Sequence, residues 1–383
     1  MCIAPFKDKV VGVIFKKANS ELHIDCNMRI IRPVFNALSG LMPRWFLAWG
    51  LVLMLILLTS PFLKATPTIT IDDTRGEYSL GPYLEILEDK EKSWSIKEIV
   101  SPEIAHSFIL HKEEALNLGL TSSAFWVRFQ LQNHASVQKD WLLQVESPIL
   151  EKVSFFILKD DGDLSGSTQW IEKKSGETIP HNEREIKHRS HLFPLALALE
   201  SERTFYVRIE AEENINTLIT LWSPKEFSKK DHEEQIGFGL YYGVILVMVF
   251  YNFLLFLSLR DRTYLFYVTY VGASGLFFAY FHGFAFEYLW PNNPSLNFSA
   301  YTFFGSMSVA LDITFTRQFL QTKKHTPKMN IFLIIVVVTS CFVMILSRFG
   351  GNSIFVWYLN LILGLFCIPS AIVTATCRAP PFV

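Results

Sequence analysis

The second half of the chain contains uncharged runs that are too long for the core of a small soluble domain. These runs extend over 237–259, 263–286, 329–347 and 349–377. A further stretch, 296–315, is mostly apolar but contains Asp312. A membrane-spanning helix needs about 20 apolar residues. We therefore predict an α-helical transmembrane bundle of five spans in residues 236–377, followed by a short tail at 378–383.

Three consecutive charged residues, Arg260, Asp261 and Arg262, separate the first two runs. Within a continuous membrane helix these side chains would meet lipid, whereas a tight turn between two helices leaves them in water. We therefore predict a helical hairpin with its turn at these residues. Positive residues are also dense at 317–328 and sparse in the other loops. Because cytoplasmic loops carry an excess of Lys and Arg, we expect both loops on the cytoplasmic side.

Residues 66–235 are more polar and show the patterns of short β-strands. In the run FWVRFQLQ at 125–132, side chains alternate between two faces, as expected of a strand. One face carries Trp126, Arg128, Gln130 and Gln132, and the other carries Phe125, Val127, Phe129 and Leu131. Similar runs are separated by turn signals such as KDDGD and KKSGE. This spacing predicts an extracytoplasmic antiparallel β-sandwich.

Residues 1–65 are predicted to hold an export segment. The uncharged run Trp45–Leu63 follows several Lys and Arg residues, as in a signal peptide. Ala65 offers a small residue for cleavage, while the length of the run also suits a retained signal anchor. Met42 is an alternative start for the chain. Both forms of the segment would export residues 66–235, in agreement with the loop charges.

The composition argues against several classes of function. A formal net charge of −1 gives no basic surface of the kind that nucleic-acid-binding proteins carry. All five cysteines lie outside residues 66–235, so the outer domain has no disulfide framework. The sequence contains no nucleophile elbow, kinase loop set, paired CxxC or HExxH motif. We therefore expect no nucleic-acid partner, no cofactor and no enzymatic activity.

The segment PHNEREIKHRSH gathers His181, His188 and His191 with Glu183 and Glu185. Metal sites use histidine and carboxylate ligands. The spacing here matches no standard metal site, and a solvated loop explains the segment equally well. We predict that these residues bind no metal.

Several stretches of the sequence have a recognisable order and spacing. In the outer half they include LNLGLTSSAFWVRFQLQN and LITLWSPKEF, and in the membrane half GLYYGVILVMVFYNFLLFLSLRDRTYLFYVTY and FTRQFLQTKK. Together they resemble the bacterial seven-transmembrane receptors with diverse intracellular signalling modules, the 7TM-DISM family. The resemblance implies a jelly-roll-like sensor, similar to carbohydrate-binding modules, on a seven-helix membrane domain that precedes a signalling module. Only five spans fit before CRAPPFV, so we expect the last two helices and the signalling module to be missing.

Four residues of the outer half are candidates for binding a ligand. Trp126, Arg128 and Asn133 lie in the most recognisable element of the resemblance, and the guanidinium of Arg128 could hold hydroxyls or a carboxylate. Trp141 is a further aromatic candidate for a sugar-binding face. The structural alternative is that Arg128 pairs with a neighbouring strand, Asn133 closes a turn and the tryptophans are core.

Four residues of the membrane half are candidates for helix packing. Asn252 and Asp312 are polar groups within apolar spans, where such side chains usually face other helices. Asp312 is close enough along its helix to pair with Arg317. Gly239 and Gly243 place two small residues on one face, which permits a second helix to approach closely.

Three functions remain open from the sequence. The first is a sensory receptor in the bacterial inner membrane, with its C-terminus in the cytoplasm and a small-molecule ligand, carbohydrate being one class. The second is a transporter whose outer domain captures substrate. The third is a fragment that does not signal alone and pairs with a separate partner. The expected partners are the lipid bilayer, the ligand, and either a second copy or a cytoplasmic signalling protein.

Overall fold

The computed structural model describes residues 67–138, 140–159, 169–211, 214–346 and residue 362. All of them belong to one compact unit, Thr66–Val383. The predicted export segment at 1–65 lies outside the described residues. The described residues form β-strands in the first half of this unit and long helices in the second, which confirms the two-part layout predicted from the sequence.

Thirteen strands are present in the described residues. They are β1 (Thr68–Ile71), β2 (Glu77–Ser79), β3 (Glu85–Asp89), β4 (Ile109–Leu110), β5 (Leu116–Leu120), β6 (Ala124–Asn133), β7 (Asp140–Val145), β8 (Lys152–Leu158), β9 (Trp170–Ser175), β10 (His191–Ala196), β11 (Ser201–Glu210), β12 (Asn214–Thr217) and β13 (Ile219–Trp222).

Most of these strands pair in two sheets. The larger sheet has the order β4-β3-β6-β11-β8-β9, with β1 joined in parallel to β6. The smaller sheet has the order β10-β7-β13-β2, and β12 pairs with β5. Every pairing other than β1 with β6 is antiparallel in the described residues. The order brings distant segments together, since β6 pairs with β11 so that Phe129 lies opposite Phe205.

The two sheets share one apolar core. Phe129, Phe155 and Phe205 of the larger sheet are buried with Phe193 of the smaller sheet. The ring centroids of Phe155 and Phe193 lie 5.5 Å apart. The face of β6 that enters this core carries the residues that the alternation predicted, Phe125, Val127, Phe129 and Leu131. The antiparallel β-sheet domain is therefore confirmed, while its likeness to jelly rolls and carbohydrate-binding modules stays a prediction.

The opposite face of β6 is also covered. Trp126 packs there in a second cluster with Phe156 and Tyr206. Two short helical turns, Ile96–Ile99 and Pro102–Ala105, contribute Ile99 and Ile104 to the same cluster. Both faces of the central strand are thus buried at this point, which explains why its predicted outer face carries a tryptophan.

Four long helices follow in the described residues. They are α1 (Pro224–Leu259), α2 (Arg262–Phe281), α3 (Pro294–Phe319) and α4 (Pro327–Leu346). A π-helical turn, Ala285–Leu289, lies between α2 and α3, and a short helical turn, Thr322–His325, lies between α3 and α4. The helices pack in chain order, α2 against α1 and α3, and α3 against α4.

The ends of α1 show how the sequence sets its length. At the start, the Ser223 hydroxyl accepts the backbone N–H of Glu226 at 3.4 Å, so α1 begins before the predicted domain boundary at 235. At the end, Arg260 adopts a left-handed conformation with φ of 56°. The Asp261 carboxylate then accepts the backbone N–H of Thr263 at 2.9 Å and starts α2. The predicted turn at residues 260–262 is confirmed.

Three helices in the described residues are long and apolar enough to cross a membrane, namely α1, α2 and α4. Helix α3 occupies the place predicted for the third span but contains many more serine and threonine residues. Thr302 and Ser306 are buried along it, and the Ser306 hydroxyl donates to the Thr302 carbonyl at 2.7 Å. The span predicted at 349–377 lies outside the described residues apart from residue 362. The count of five spans therefore stays a prediction.

Replacing Phe205 with alanine is expected to destabilise the sheets by about 3–5 kcal/mol, because it leaves a cavity in the shared core. Tryptophan fluorescence during chemical denaturation of the detergent-solubilised full chain would measure the shift. Val137→Ala serves as the control, since Val137 is 82% exposed and Phe205 is 1% exposed. Equal midpoints for the two variants would contradict the described core.

Candidate functional site

Trp126 and Arg128 lie side by side on β6 and make structural contacts. Trp126 is 1% exposed, and its ring packs on Phe156 at 5.2 Å between centroids. The Nε of Arg128 donates to Glu85 on the neighbouring strand β3 at 2.7 Å. The guanidinium also lies 4.3 Å from the centre of the Phe108 ring. These contacts agree with the alternative in which Arg128 pairs with a neighbouring strand.

Asn133 and Trp141 are both buried. The Asn133 amide donates to the carbonyls of Leu197 and Ala198 at 3.3 and 3.2 Å, and its oxygen accepts the backbone N–H of Ala135 at 3.0 Å. Trp141 is 1% exposed and lies in the core shared by the sheets, whereas Trp126 lies in the separate outer cluster. The four candidates therefore do not converge on one surface, and ligand binding by them stays a prediction.

The first turns of α1 pack against the outer sheets. Phe227 is 9% exposed and contacts the rings of Trp222 and His188, at 6.4 and 5.4 Å between centroids. Farther along α1, the Lys230 ammonium donates to Gln144 and Glu146, both at 3.3 Å. The outer end of α1 is therefore part of the β-sheet domain, although the same helix continues into the membrane part.

A buried charge cluster strengthens this attachment. Arg189, which precedes β10, donates to Asp231 of α1 at 3.1 Å and also pairs with Glu234. The Nε2 of His188 lies 3.0 Å from the same Asp231 oxygen. The Nδ1 of His188 accepts the backbone N–H of Ser190 at 3.0 Å, so Nε2 carries the proton of the neutral ring. We name these four side chains, Arg189, His188, Asp231 and Glu234, the junction cluster.

The segment after α2 closes over the junction cluster. Gly283 has a φ of +82°, and a Cβ atom there would lie 2.9 Å from Pro148 and 3.0 Å from Arg189. Only glycine combines this conformation with so close an approach. The Arg189 guanidinium lies 5.3 Å from the centre of the Phe238 ring and 5.5 Å from that of Phe284. Arg189 therefore contacts both α1 and the segment that follows α2.

A second polar contact joins the outer domain to the start of α3. The Asn297 amide donates to Glu177 at 2.7 Å, and its oxygen accepts the indole N–H of Trp290 at 2.9 Å. The backbone N–H of His181 donates to the Pro291 carbonyl at 2.7 Å. The outer domain thus contacts the helical part through α1, through the segment after α2 and through the start of α3.

The histidines near this junction are held in the neutral form. Burial, together with the positive charge of Arg184, lowers the pKa of His181 to about 4. Burial holds the pKa of His191 well below its usual value. Burial also lowers the pKa of His188, although the hydrogen bond to Asp231 opposes the shift. These rings accept and donate hydrogen bonds at neutral pH without bringing further positive charge to the junction.

The interpretation of this segment as a solvated loop is wrong for its three histidines, whereas Glu183 and Glu185 are exposed. His181, His188 and His191 are 3%, 8% and 0% exposed. Sequence reasoning missed their role because Asp231 and Glu234 lie far along the chain and no apolar periodicity marks the segment. The mixed charges of KKDHEEQ, just before the first span, could have indicated such ion pairs, because Asp231 and Glu234 lie in this run. Among the described residues no group of three or more His, Cys, Asp or Glu is placed to hold a metal ion.

A cavity of about 510 Å³ opens beside this junction, between β9 and the segment before β10. Its lining includes six charged side chains, Glu172, Lys173, Lys174, Glu183, Arg184 and Glu185. Arg184 also donates to the carbonyls of His188 at 3.3 Å and Gly176 at 2.8 Å. The side chain of Arg184 therefore links the wall of the cavity to the backbone of the residue that pairs with α1.

The four residues of the membrane half that are candidates for helix packing lie in different surroundings. The Asn252 amide donates to the Met248 carbonyl of its own helix at 2.8 Å. An added Cβ at Gly239 or Gly243 would have no atom within 4 Å apart from the adjacent residues and the backbone of its own helix, so this face of α1 is open among the described residues. Asp312 is half-buried on α3. The roles predicted for these four residues in helix packing stay predictions.

On α3, one turn and a half beyond Asp312, the Nε of Arg317 donates to Asn330 of α4 at 3.1 Å. This hydrogen bond joins the C-terminal end of α3 to the start of α4. The pairing of Asp312 with Arg317 stays a prediction. The contact with Asn330 was not anticipated, because nothing in the local pattern marks this asparagine as a partner.

Comparison with known families agrees with this architecture. Residues 81–223 match the family described as 7TMR-DISM extracellular 2. Residues 234–379 match the family described as 7TM diverse intracellular signalling. No curated protein matches the chain. The chain therefore belongs to the 7TMR-DISM family, as its resemblance indicated, and it is a receptor-like sensory membrane protein with an extracellular domain.

The pKa of His181 predicts a loss of stability in acid. The unfolded chain binds a proton near pH 6.5 and the folded chain only near 4, so the stability from this group is complete above pH 6.5 and falls as the pH decreases towards 4. The full effect is about 3 kcal/mol. His181→Asn should flatten the pH dependence of the melting temperature of the solubilised full chain between pH 7 and pH 4.

The matched control for this measurement is His232→Asn, because His232 is exposed on α1. Its ring is solvated in both the folded and the unfolded chain, so the control should keep the pH slope of the parent protein. A slope that His181→Asn leaves unchanged would show that His181 is not neutral and buried at the junction.

Proposed function

We propose that this protein is a receptor that binds a polar small molecule in its extracellular domain and passes the event to the cytoplasmic side through α1. The observation that carries the proposal is the continuity of this helix, which has 36 residues from Pro224 to Leu259. At 1.5 Å per residue such a helix is about 54 Å long. Its first turns belong to the outer domain, and its last turn reaches the charged hairpin.

The junction cluster supports transmission rather than simple anchoring. Arg189 is bound by two carboxylates of α1 and lies against rings from α1 and the segment after α2. A shift of the segment 184–190 therefore changes contacts on α1 and on the segment after α2 at once. Packed and hydrogen-bonded contacts of this kind exchange between discrete arrangements, which makes them suitable for carrying a signal.

The cavity beside β9 is the proposed ligand site. Its charged side chains of both signs suit a small molecule with several polar groups. A carbohydrate is one such class. Phe193 also lines the cavity but is 1% exposed, so it offers little flat ring surface for stacking on a sugar. The lining therefore favours a charged or zwitterionic ligand over a neutral sugar.

The proposed location is the plasma membrane of a bacterium, with the hairpin turn at 260–262 in the cytoplasm. The basic residues of this turn and of 317–328 support that orientation. The signal would be read by a cytoplasmic signalling partner or within a homodimer. The open face at Gly239 and Gly243 would let a helix of such a partner approach α1 closely.

A screen of amino acids, carboxylates and sugars against the full chain in nanodiscs tests this proposal. A ligand that binds only the folded state raises its stability by about 3 kcal/mol at a hundredfold excess over Kd. Lys174→Gln, in the cavity wall, should weaken the response to any hit. Lys97→Gln, on the helical turn Ile96–Ile99, serves as the control because it removes the same charge away from the cavity.

Transmission is tested with the same hit by hydrogen–deuterium exchange at residues 259–264. The ligand should change exchange at this turn in the parent chain. Arg189→Gln should abolish that change while binding persists, whereas Lys229→Gln, on the exposed surface of α1, should keep it. A panel without any stabilising compound, or a hit that Lys174→Gln leaves unaffected, would contradict the proposed ligand site.

A further inference from the structure

A second cavity, of about 950 Å³, lies at the end of the helices farthest from the extracellular domain. It opens where the turn between α1 and α2 faces the inner end of α3 and the short turn Thr322–His325. Three cationic side chains line it, Arg317, Lys323 and Lys324. One carboxylate, that of Asp261, also lines it and already accepts the backbone N–H of Thr263. Positive charge therefore predominates in the cavity.

The cationic wall is built by buried hydrogen bonds. The Asn330 oxygen accepts from the Nε of Arg317 at 3.1 Å and from the Thr322 hydroxyl at 3.0 Å. Thr322 is fully buried, and Asn330 is 8% exposed. One asparagine thus positions both the guanidinium and the turn that carries the two lysines. Supporting hydrogen bonds of this kind hold a binding residue in one orientation before any ligand binds.

The two lysines are available for a ligand. Lys323 and Lys324 are both exposed, and neither has a carboxylate partner among the described residues. Gln321, which precedes them, adopts a left-handed conformation with φ of 49° and turns the chain back towards α4. The lysines therefore project from a defined turn at the rim of the cavity.

The remaining wall is aromatic. Tyr264, Tyr267, Phe315 and Phe319 line the cavity. The ring of Phe315 lies 5.5 Å from that of Tyr267 and 5.5 Å from that of Phe319, measured between centroids. Tyrosine rings concentrate at the level of lipid headgroups, where one side is apolar and the other is wet. The cavity thus combines a cationic rim with apolar walls.

We propose that this cavity binds the phosphate group of an anionic phospholipid from the inner leaflet. Basic pockets between membrane helices on the cytoplasmic side are suited to such headgroups. The cations would hold the phosphate, and the aromatic walls would contact the glycerol and the first part of the acyl chains. A free phosphate ion has the same charged group but would leave the aromatic walls without a partner, so the lining favours the lipid.

The test is a titration of dioctanoyl phosphatidylglycerol into the full chain in neutral detergent, followed by thermophoresis. Dioctanoyl phosphatidylcholine and inorganic phosphate are titrated in parallel. Because each lysine near a lipid surface contributes about fivefold to affinity, the double variant K323Q/K324Q should bind phosphatidylglycerol about tenfold to thirtyfold more weakly. Its melting temperature in neutral detergent shows that the chain remains folded.

The matched control is R262Q/K328Q, which also removes two positive charges near the inner end of the helices but from outside the cavity lining. It should bind phosphatidylglycerol as the parent chain does. An equal loss of affinity in both double variants, or no loss in K323Q/K324Q, would overturn the proposal. Tight binding of inorganic phosphate without a preference for the lipid would overturn the lipid as the source of the phosphate group.

Discussion

The ion pairs between Arg189 and the two acidic residues of α1 are the contact on which the rest of the architecture depends. Arg189 is almost fully buried, and a buried guanidinium requires carboxylates and hydrogen bonds close by to offset its loss of hydration. Asp231 and Glu234 meet this need only while the outer end of α1 stays packed against the sheets. The electrostatic requirement therefore determines where the helix leaves the outer domain.

The neutral histidines follow from the same requirement. With Arg184 and Arg189 already buried nearby, further positive charge on His181, His188 or His191 would be repelled and poorly solvated. Neutral rings supply hydrogen bonds without that cost. The cavity beside β9 lies next to these groups. A charged ligand in this cavity would therefore change the electrostatic environment of the buried arginines and the neutral histidines.

The two-part layout could be predicted because it depends on local patterns. The alternation on β6 places apolar residues on one face wherever the strand lies, and the charges at 260–262 can only be hydrated in a turn. The junction cluster could not be predicted in this way. His188 and Arg189 depend on Asp231 and Glu234 of α1. The pairing of β10 with β7 and of β7 with β13 brings these segments together, and no local periodicity indicates that pairing.

The cavity lined by Arg317, Lys323 and Lys324 could not be predicted from the sequence either. Helical spacing allows Arg317 to pair with Asp312, but nothing in the sequence indicates the hydrogen bond that Arg317 makes to Asn330 on the next helix. Trp126 and Trp141 illustrate the same limit in the outer domain. Composition identifies them as aromatic, but only the arrangement of the sheets shows that they lie in separate buried clusters.

The boundary between the two family matches, after 223 and before 234, falls within the first turns of an unbroken helix. Chimeras that exchange the outer domain between relatives would therefore have to be spliced within α1. Each residue inserted or deleted there rotates the membrane half by about 100° and shifts it by about 1.5 Å relative to the outer half. The number of residues in α1 therefore sets the rotation of the membrane half relative to the outer half. Only splices that preserve this number would keep the original orientation of the two halves.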